Sequence, residues 1–458
     1  MEDTIRHVAS QADLTAEIVI IGSGAGGATL AHSLRERGAE VLLVERGGFM
    51  PREPANWSAA AVHRDGRYRS PERRLDADGR LYWPRQYAVV GGNTTVWGAC
   101  LPRFRVEDFE DLPTRDGVSP AWPVSYADLA PYYAVAERLY GVHGAAAGSD
   151  PHEPPRDSPY PHDAIPDEPQ VAELKRRLVA QGLRPFTLPL GIDRGDGGTC
   201  VRCRTCDAYP CRLSAKNDAE VRAVRPALAA GVRLATDTSI HRLVTDGTGR
   251  RILAAEGRQH GRPVRIAAST FVVSCGAVGS AVLLLRSADH ANPTGLANSS
   301  GQVGRNYMAH LLTGLLAIRG RRNDVDFQKT IGVNDWYLSS PRDGRPLGNL
   351  QTIGKVVSEM LAGEVPLPRR AVRALTDRSI DWIATSEDLP DPDNRVTIGA
   401  DGRFGDDPET APLDRNCKAW DHDNLFVVDA SVMPSSAALN PGLTIAAMAL
   451  RAGVKLAG

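Results

Sequence analysis

Gly22, Gly24 and Gly27 follow directly on the apolar run Ile18-Val-Ile-Ile, and Glu45 closes the next apolar run, Val41-Leu-Leu-Val. This spacing suits phosphate binding. The first glycine makes a tight turn after a buried strand, and the second lets backbone amides approach a pyrophosphate. The third lets the following helix pack closely on the strand. The N-terminus of that helix, with its free N–H groups and positive dipole end, faces the phosphates. Glu45 stands where a carboxylate accepts both hydroxyls of an adenosine ribose, with Arg46 beside it. The chemistry these residues imply is dinucleotide binding.

A second group is sulfur. Cys200, Cys203, Cys206 and Cys211 gather four of the 7 cysteines in one short stretch. Their spacing is similar to an iron–sulfur run, but the last gap is longer than in C-x2-C-x2-C-x3-C-P, and Pro210 precedes the last cysteine. Four thiolates also suit tetrahedral zinc, and disulfides or free thiols are a third reading. Cys100, Cys275 and Cys417 are isolated and read as buried packing residues. Near the end of the chain, Asp429 closes the strand-like run Leu425-Phe-Val-Val, and Asn440-Pro441 open a helical stretch. Proline at the first helical position loses no hydrogen bond, and a helix start there can stabilise negative charge.

Positioning these groups takes several elements. Residues 16–48 read as strand, helix (Ala28 to Arg37) and strand, and a second strand leads into the glycine turn at 91. Residues 106–145 have a helical pattern, 149–169 are proline-rich and irregular, and a helix lies near 168–182. Strands are expected at 232–244 and 263–273, with an apolar helix after Gly276. From Leu311 to about Thr397, short β-like runs alternate with Pro and Gly turns, the pattern of an antiparallel unit. The nucleotide-binding elements therefore come from the beginning, middle and end of the chain. That interleaving favours FAD over a nicotinamide cofactor, because its isoalloxazine must be held far from the pyrophosphate turn.

The 458 residues allow two or three core-sized units. With Lys+Arg 54 and Asp+Glu 55, the net charge of −1 gives no reason to expect nucleic acid or an anionic membrane surface as a partner. Met1 to Leu14 lacks the pattern of a secretory signal, and no apolar run approaches a membrane span. The expectation is a cytoplasmic protein with reduced thiols.

Three passages carry a family resemblance: the fingerprint with Glu45, Gly91-Gly-Asn-Thr-Thr-Val-Trp-Gly-Ala-Cys-Leu-Pro-Arg-Phe104, and Asn424-Leu-Phe-Val-Val-Asp-Ala-Ser through Asn440-Pro-Gly-Leu-Thr-Ile445. Gly276-Ala-Val-Gly-Ser280 and Val303-Gly-Arg-Asn-Tyr-Met-Ala-His310 are smaller matches. Together they resemble the glucose–methanol–choline (GMC) flavoprotein oxidoreductases, nearest the pyranose oxidase branch, over almost the whole chain. The resemblance implies an α/β FAD-binding Rossmann-type domain, with a parallel sheet and helices, plus an α+β substrate domain with a mainly antiparallel sheet. It assigns 14–105, 200–310 and 404–458 to the discontinuous FAD-binding domain, and 106–199 and 311–403 to the substrate domain and excursions. It implies FAD contacts at Gly22, Gly24, Ala25, Gly27, Glu45, Arg46, Gly91, Gly92, Asn93, Thr94, Thr95, Trp97, Ile240, Gly276, Asp429, Ala430, Asn440, Pro441 and Thr444. Some relatives bond a histidine covalently to the flavin at the position of Val96, so here the FAD is expected to be non-covalent.

The implied activity is oxidation of an alcohol group, on a polar, sugar-like or aminoglycoside-like small molecule, by hydride transfer to flavin N5. An iron–sulfur centre, if present, would pass electrons to a further acceptor. The alternative is an FAD-binding protein of the same fold with lyase activity or no redox activity. Asn440 matches the active-site position that hydrogen-bonds the substrate oxygen, and His310 matches a histidine at the domain junction that reads mainly as structural. One part is missing. The family places a catalytic histidine before the Asp-Pro found here at Asp407-Pro408, yet Asn394 to Arg403 runs straight into Phe404, and none of the 11 histidines lies in that interval. Either the base has been lost, or several dozen residues between Arg403 and Phe404 are missing from this sequence. The second reading predicts an open strand edge or cavity beside the junction.

Overall fold

The computed structural model describes residues 13–76, 78–145, 149–195, 197–361, 365–397 and 411–457. The main elements are β1 (Asp13–Ile21), α1 (Ala25–Leu34), β2 (Val41–Val44), α2 (Tyr126–Leu139), α3 (Pro169–Ala180), β3 (Phe186–Thr187), β4 (Arg233–Ala235), β5 (Thr238–Thr245), β6 (Ile252–Gln259), β7 (Arg262–Val273), α4 (Ala277–Arg286), β8 (Leu311–Ile318), β9 (Ile331–Val333), β10 (Asn349–Thr352), α5 (Arg369–Thr376), β11 (Ser379–Ser386), β12 (Leu425–Val427) and α6 (Gly442–Leu456).

A seven-stranded sheet runs β4-β2-β1-β7-β6-β5, with β12 also paired to β7. The pairs β4–β2, β2–β1, β1–β7 and β7–β12 are parallel, and the β5–β6–β7 meander is antiparallel. β7 organises this sheet. One of its edges pairs with β1 along most of its length, while the other is shared between β6 and β12. Along β1, Leu14 and Ala16 are buried and Thr15 and Glu17 exposed, but Ile18 to Ile21 are all buried. That switch from alternating to continuous burial is what a parallel strand covered on both faces requires. α1 packs against it through small residues. A Cβ on Gly27 would lie 2.0 Å from Gly22 O, and one on Gly453 of α6 would lie 2.2 Å from Ser33 Oγ of α1. A larger residue at Gly27 would meet fixed backbone, and one at Gly453 would have to displace the Ser33 side chain.

A second, five-stranded sheet runs β8-β11-β10-β9-β3, with every neighbouring pair antiparallel. The region 106–145 is less helical than its pattern suggests. Leu112–Pro113 and Val118–Ser119 pair as a small hairpin, and α2 begins only at Tyr126, where Ser125 and Asp128 form a capping box. No described helix is long and apolar enough to cross a membrane.

The junction at Arg403 and Phe404, with Asp407 and Pro408, lies outside the described residues. Near the residues that lead to it, β8 is the edge strand of the second sheet. Leu311 and Leu312 are each 60% exposed there.

Candidate active site

A cavity of about 1220 Å³ opens along the carboxyl ends of β1, β2 and β7 and reaches the start of α6. Of the residues expected at a cofactor, Gly22, Gly24, Ala25, Glu45, Arg46, Gly92, Asn93, Thr94, Trp97, Ile240, Gly276, Asp429, Ala430, Asn440 and Pro441 line it. The two phosphate-turn glycines do different work. Gly22 has φ +104°, and a Cβ there would lie 2.1 Å from Ser274 O, so the turn is locked against the end of β7. Gly24 has φ −71°, and a Cβ there would have nothing within 4 Å. The space above Gly24 is therefore open for a ligand's phosphates, and α1 starts at the next residue.

The Glu45 carboxylate is buried. It accepts hydrogen bonds from Ser23 N (3.2 Å), Ser23 Oγ (2.7 Å) and Gly47 N (3.2 Å). Burial pushes its pKa up and these donors pull it back. Arg46 pairs with Glu72 at 2.6 Å, and Arg73, Arg74 and Arg286 also line the cavity, a cationic rim suited to a pyrophosphate.

The Asp429 carboxylate is held within the protein. The side chain accepts from Gly276 N (2.9 Å) and Ser431 N (2.8 Å), so it clasps the start of α4 to the end of β12. Burial raises its pKa, and the hydrogen bonds from Ser280, Ser431 and Gly276 oppose the rise. Pro441 is the N-cap of α6, one position earlier than expected, and the helix begins at Gly442. Gly442 and Ile445 line the cavity, so the unpaired N–H groups and positive dipole end of α6 favour negative charge there. Asn440 is half-buried, and its amide has no protein partner among the described residues.

Four expected contacts do not line the cavity. Gly27 serves helix–strand packing, and Gly91, with φ +90°, turns the chain against Glu220. Thr95 is buried and donates to Gly92 O at 2.9 Å. Thr444 is fully buried, with its hydroxyl 2.8 Å from Tyr133 OH, so it ties α6 to α2. His310 donates from Nε2 to Ser436 O at 2.9 Å, and burial holds its pKa down, which leaves a neutral ring bracing the segment before Asn440.

The cysteine expectation is corrected. All four thiols are free, and among the described residues no group of three or more His, Cys, Asp or Glu is arranged to hold a metal. The backbone passes through the left-handed region at Arg202, Arg204 and Ala208. Each thiol has its own surroundings. Cys200 and Cys206 pack against an apolar cluster with Trp97, Cys203 Sγ lies 3.2 Å from Thr205 Oγ1, and Cys211 Sγ accepts from Ala215 N at 3.3 Å. Burial pushes the Cys206 thiol up to about 11.

What this segment does instead is support the turn at 92–98. The buried Lys216 donates to Trp97 O (2.8 Å), Cys206 O (2.8 Å) and Tyr209 O (2.6 Å). Lys329 is equally buried, pairs with Asp207 at 2.9 Å and donates to Gly98 O. Neither lysine stands in a motif, so nothing in the sequence marked them. Lys216→Met would strand three carbonyls, and we expect it to cost about 3 kcal/mol or more of stability, read as a lowered denaturation midpoint with accompanying loss of flavin.

Two family models, both described as GMC oxidoreductase, match residues 16–312 and 400–449. The chain belongs to the GMC oxidoreductase family. It is 31% identical to 6'''-hydroxyparomomycin C oxidase of Streptomyces lividus over 504 residues, covering 96% of this chain and 91% of that protein. It is 28% identical to paromamine 6'-oxidase of Streptomyces fradiae, again over 96% and 91% of the two chains. The fold is similar to that of pyridoxine 4-oxidase from Mesorbium loti, with a TM-score of 0.64, 18% identity and coverage of 96% and 99%. The 504 aligned positions exceed the 458 residues of this GMC oxidoreductase, so the Streptomyces lividus protein carries residues with no counterpart here.

Proposed function

We propose that this GMC oxidoreductase binds FAD non-covalently in the large cavity and oxidises an alcohol group of a polar, amino-sugar-like molecule. The observation that carries this reading is the continuity of the cavity from Gly24 and Glu45 at one end to Trp97, Asn440 and the start of α6 at the other. The glycine cradle leaves room for a dinucleotide's phosphates. In this reading the seven-stranded sheet is the cofactor unit and the five-stranded sheet the substrate unit, as the sequence boundaries anticipate. When bound, FAD would supply the two-electron acceptor for a hydride, and the hydroxyl proton would pass to water, since no histidine lies between Asn394 and Asp407 to take it.

The chain's own residues then divide the work. Gly22 to Ala25 and the α1 start hold the phosphates, and Glu45 holds the ribose. Gly92 to Trp97 shape one wall, while the start of α6 favours negative charge at the reactive end. Asn440 donates a hydrogen bond to the substrate oxygen and orients the carbon that loses hydride. Glu45→Ala should weaken FAD retention by roughly 1.5–3 kcal/mol for each lost charge-assisted bond, measured by titrating apoprotein with FAD. Val96 offers no nucleophile, so acid or heat should release all the flavin into the supernatant. Flavin left on the precipitated polypeptide would overturn the non-covalent assignment.

For the substrate class, a cavity of about 680 Å³ lies against the segment leading to Asn440. Asp108, Glu387, Asp388 and Asp391 line it, and Arg115 and Arg345 are its cations. Glu387 accepts from Ala437 N at 3.0 Å, and Asp388 N donates to Ser436 Oγ at 3.2 Å, which fixes this acidic wall to the approach to Asn440. Among the described residues neither Glu387 nor Asp388 forms an ion pair. An acidic wall suits ammonium groups, as on the aminoglycosides named for two relatives. The double substitution Glu387→Gln and Asp388→Asn keeps each acceptor but removes both charges. It should raise KM for an amino sugar roughly ten-fold or more and leave KM for the N-acetylated sugar nearly unchanged. Equal effects on both sugars would argue against charge recognition.

A further inference from the structure

Ala437 stands in the left-handed region, with φ +48°, shortly before the half-buried Asn440. A residue with a Cβ is strained there and persists only where its surroundings hold it. Two acceptors do so. Ala437 N donates to the Glu387 carboxylate at 3.0 Å, and Ala438 N donates to the Tyr337 hydroxyl at 3.3 Å. Ala437, Ala438 and Leu439 are all buried, so both N–H groups depend on these protein acceptors.

The Tyr337 hydroxyl is itself held. It donates to Asp108, 2.9 Å from Oδ1 and 3.1 Å from Oδ2, and Asp108 Oδ2 also accepts from Arg105 N at 2.7 Å. Asp108 lies in the turn Glu107–Phe109 and Tyr337 between β9 and β10, so two distant segments meet at the approach to Asn440. Both side chains are buried at the wall of the acidic cavity. The groups that face Asp108 are the Arg105 backbone and guanidinium, the Tyr337 hydroxyl, Glu387 and Tyr133. The Arg105 guanidinium is shared, because it pairs with the buried Asp150. Burial pushes the Asp108 carboxyl up to about 7, against the pull of Arg105 and Tyr337.

The direction of the Tyr337 hydroxyl depends on the charge of Asp108. An ionised carboxylate only accepts, so Tyr337 donates to it and keeps its oxygen lone pairs for Ala438 N–H. A protonated carboxyl is also a donor, and its proton competes with Ala438 N–H for the Tyr337 oxygen. We propose that Asp108 and Tyr337 are positioning residues that hold the strained turn at Ala437, and with it the Asn440 amide, while Asp108 is ionised. This rests on the alcohol-oxidising reading above and adds a control to it. Asp108 acts through Tyr337 rather than on the reacting atoms of the substrate.

Anaerobic stopped-flow reduction of the FAD-loaded protein tests it, with an N-acetylated amino sugar that carries no ammonium group to titrate. At saturating sugar the rate should rise roughly ten-fold between about pH 6 and pH 8. Tyr337→Phe, Asp108→Asn and Asn440→Ala should each retain flavin and lose this step. Glu387→Gln keeps the acceptor for Ala437 N but removes a neighbouring negative charge, so it should move the step to lower pH. A parent rate that is flat with pH overturns the proposal and leaves the alcohol-oxidising reading intact. A step that survives in Tyr337→Phe also overturns it, because Asp108 would then act on the substrate directly. Should Tyr337→Phe fail to fold, Glu387→Gln decides, and an unmoved step contradicts the assignment to Asp108. A flavin that no sugar reduces at any pH overturns the alcohol-oxidising reading, and the inference falls with it.

Discussion

Gly24→Leu should give a folded protein that is colourless. Gly24 is the N-cap of α1 with φ −71° and ψ −165°, a conformation any residue adopts, and no atom lies within 4 Å of the added Cβ. A side chain there therefore begins in open space, without backbone strain. It projects into the space where the cofactor's phosphates would approach the backbone, and filling that space should weaken FAD by at least about a hundred-fold, near 3 kcal/mol. Gly22→Ala is the contrasting case. Its Cβ would lie 2.1 Å from Ser274 O at a φ of +104°, so it should lower the denaturation midpoint as well as flavin content. Circular dichroism, thermal denaturation and flavin absorbance on the two variants separate a blocked site from a broken turn. A yellow, fully loaded Gly24→Leu protein would show that the cofactor lies elsewhere.

Asn440→Ala should leave flavin content and thermal stability close to those of the parent but lower kcat/KM by roughly 10²–10³-fold. The amide has no protein partner to strand, and the residue is half-buried in the cavity wall, so removing it costs the fold little. What disappears is the donor to the substrate oxygen as its charge changes during hydride loss. Steady-state kinetics decide it, with the loss expected in kcat as well as in kcat/KM. An effect confined to KM would make Asn440 a binding contact only.

Much of the cofactor cavity was legible because a pyrophosphate turn makes demands that few residue types meet. Gly22 and Gly27 stand where backbone approaches backbone, and Gly24 where a Cβ would meet nothing within 4 Å, so their spacing carries the geometry of the turn. The apolar runs of β1, β2 and β12 were readable for the same reason, since strands buried on both faces leave little choice of residue. Other features depend on tertiary partners and leave no local trace. Thr444 falls on a matching position, yet its hydroxyl belongs to Tyr133, more than 300 residues earlier in the chain. Lys216 and Lys329 brace the 92–98 turn by reaching backbone carbonyls from distant segments. The strand β6, Ile-Leu-Ala-Ala-Glu-Gly-Arg-Gln, was not read because Gly257 breaks its pattern, although that glycine is needed where Ser239 O would lie 2.1 Å from a Cβ. The cysteine run misled for the opposite reason. Its thiols are neighbours in sequence, but among the described residues they form no group arranged to hold a metal, and Cys203 and Cys211 each find a local partner.

If the cavity joining Gly24 to Asn440 holds a flavin that takes a hydride from an alcohol, anaerobic addition of an amino sugar to the purified, FAD-loaded protein should bleach the oxidised flavin absorbance in proportion to the sugar added. The Asn440→Ala protein should bleach roughly 10²–10³-fold more slowly. A flavin that stays oxidised with amino sugars, neutral sugars and simple alcohols alike would contradict it.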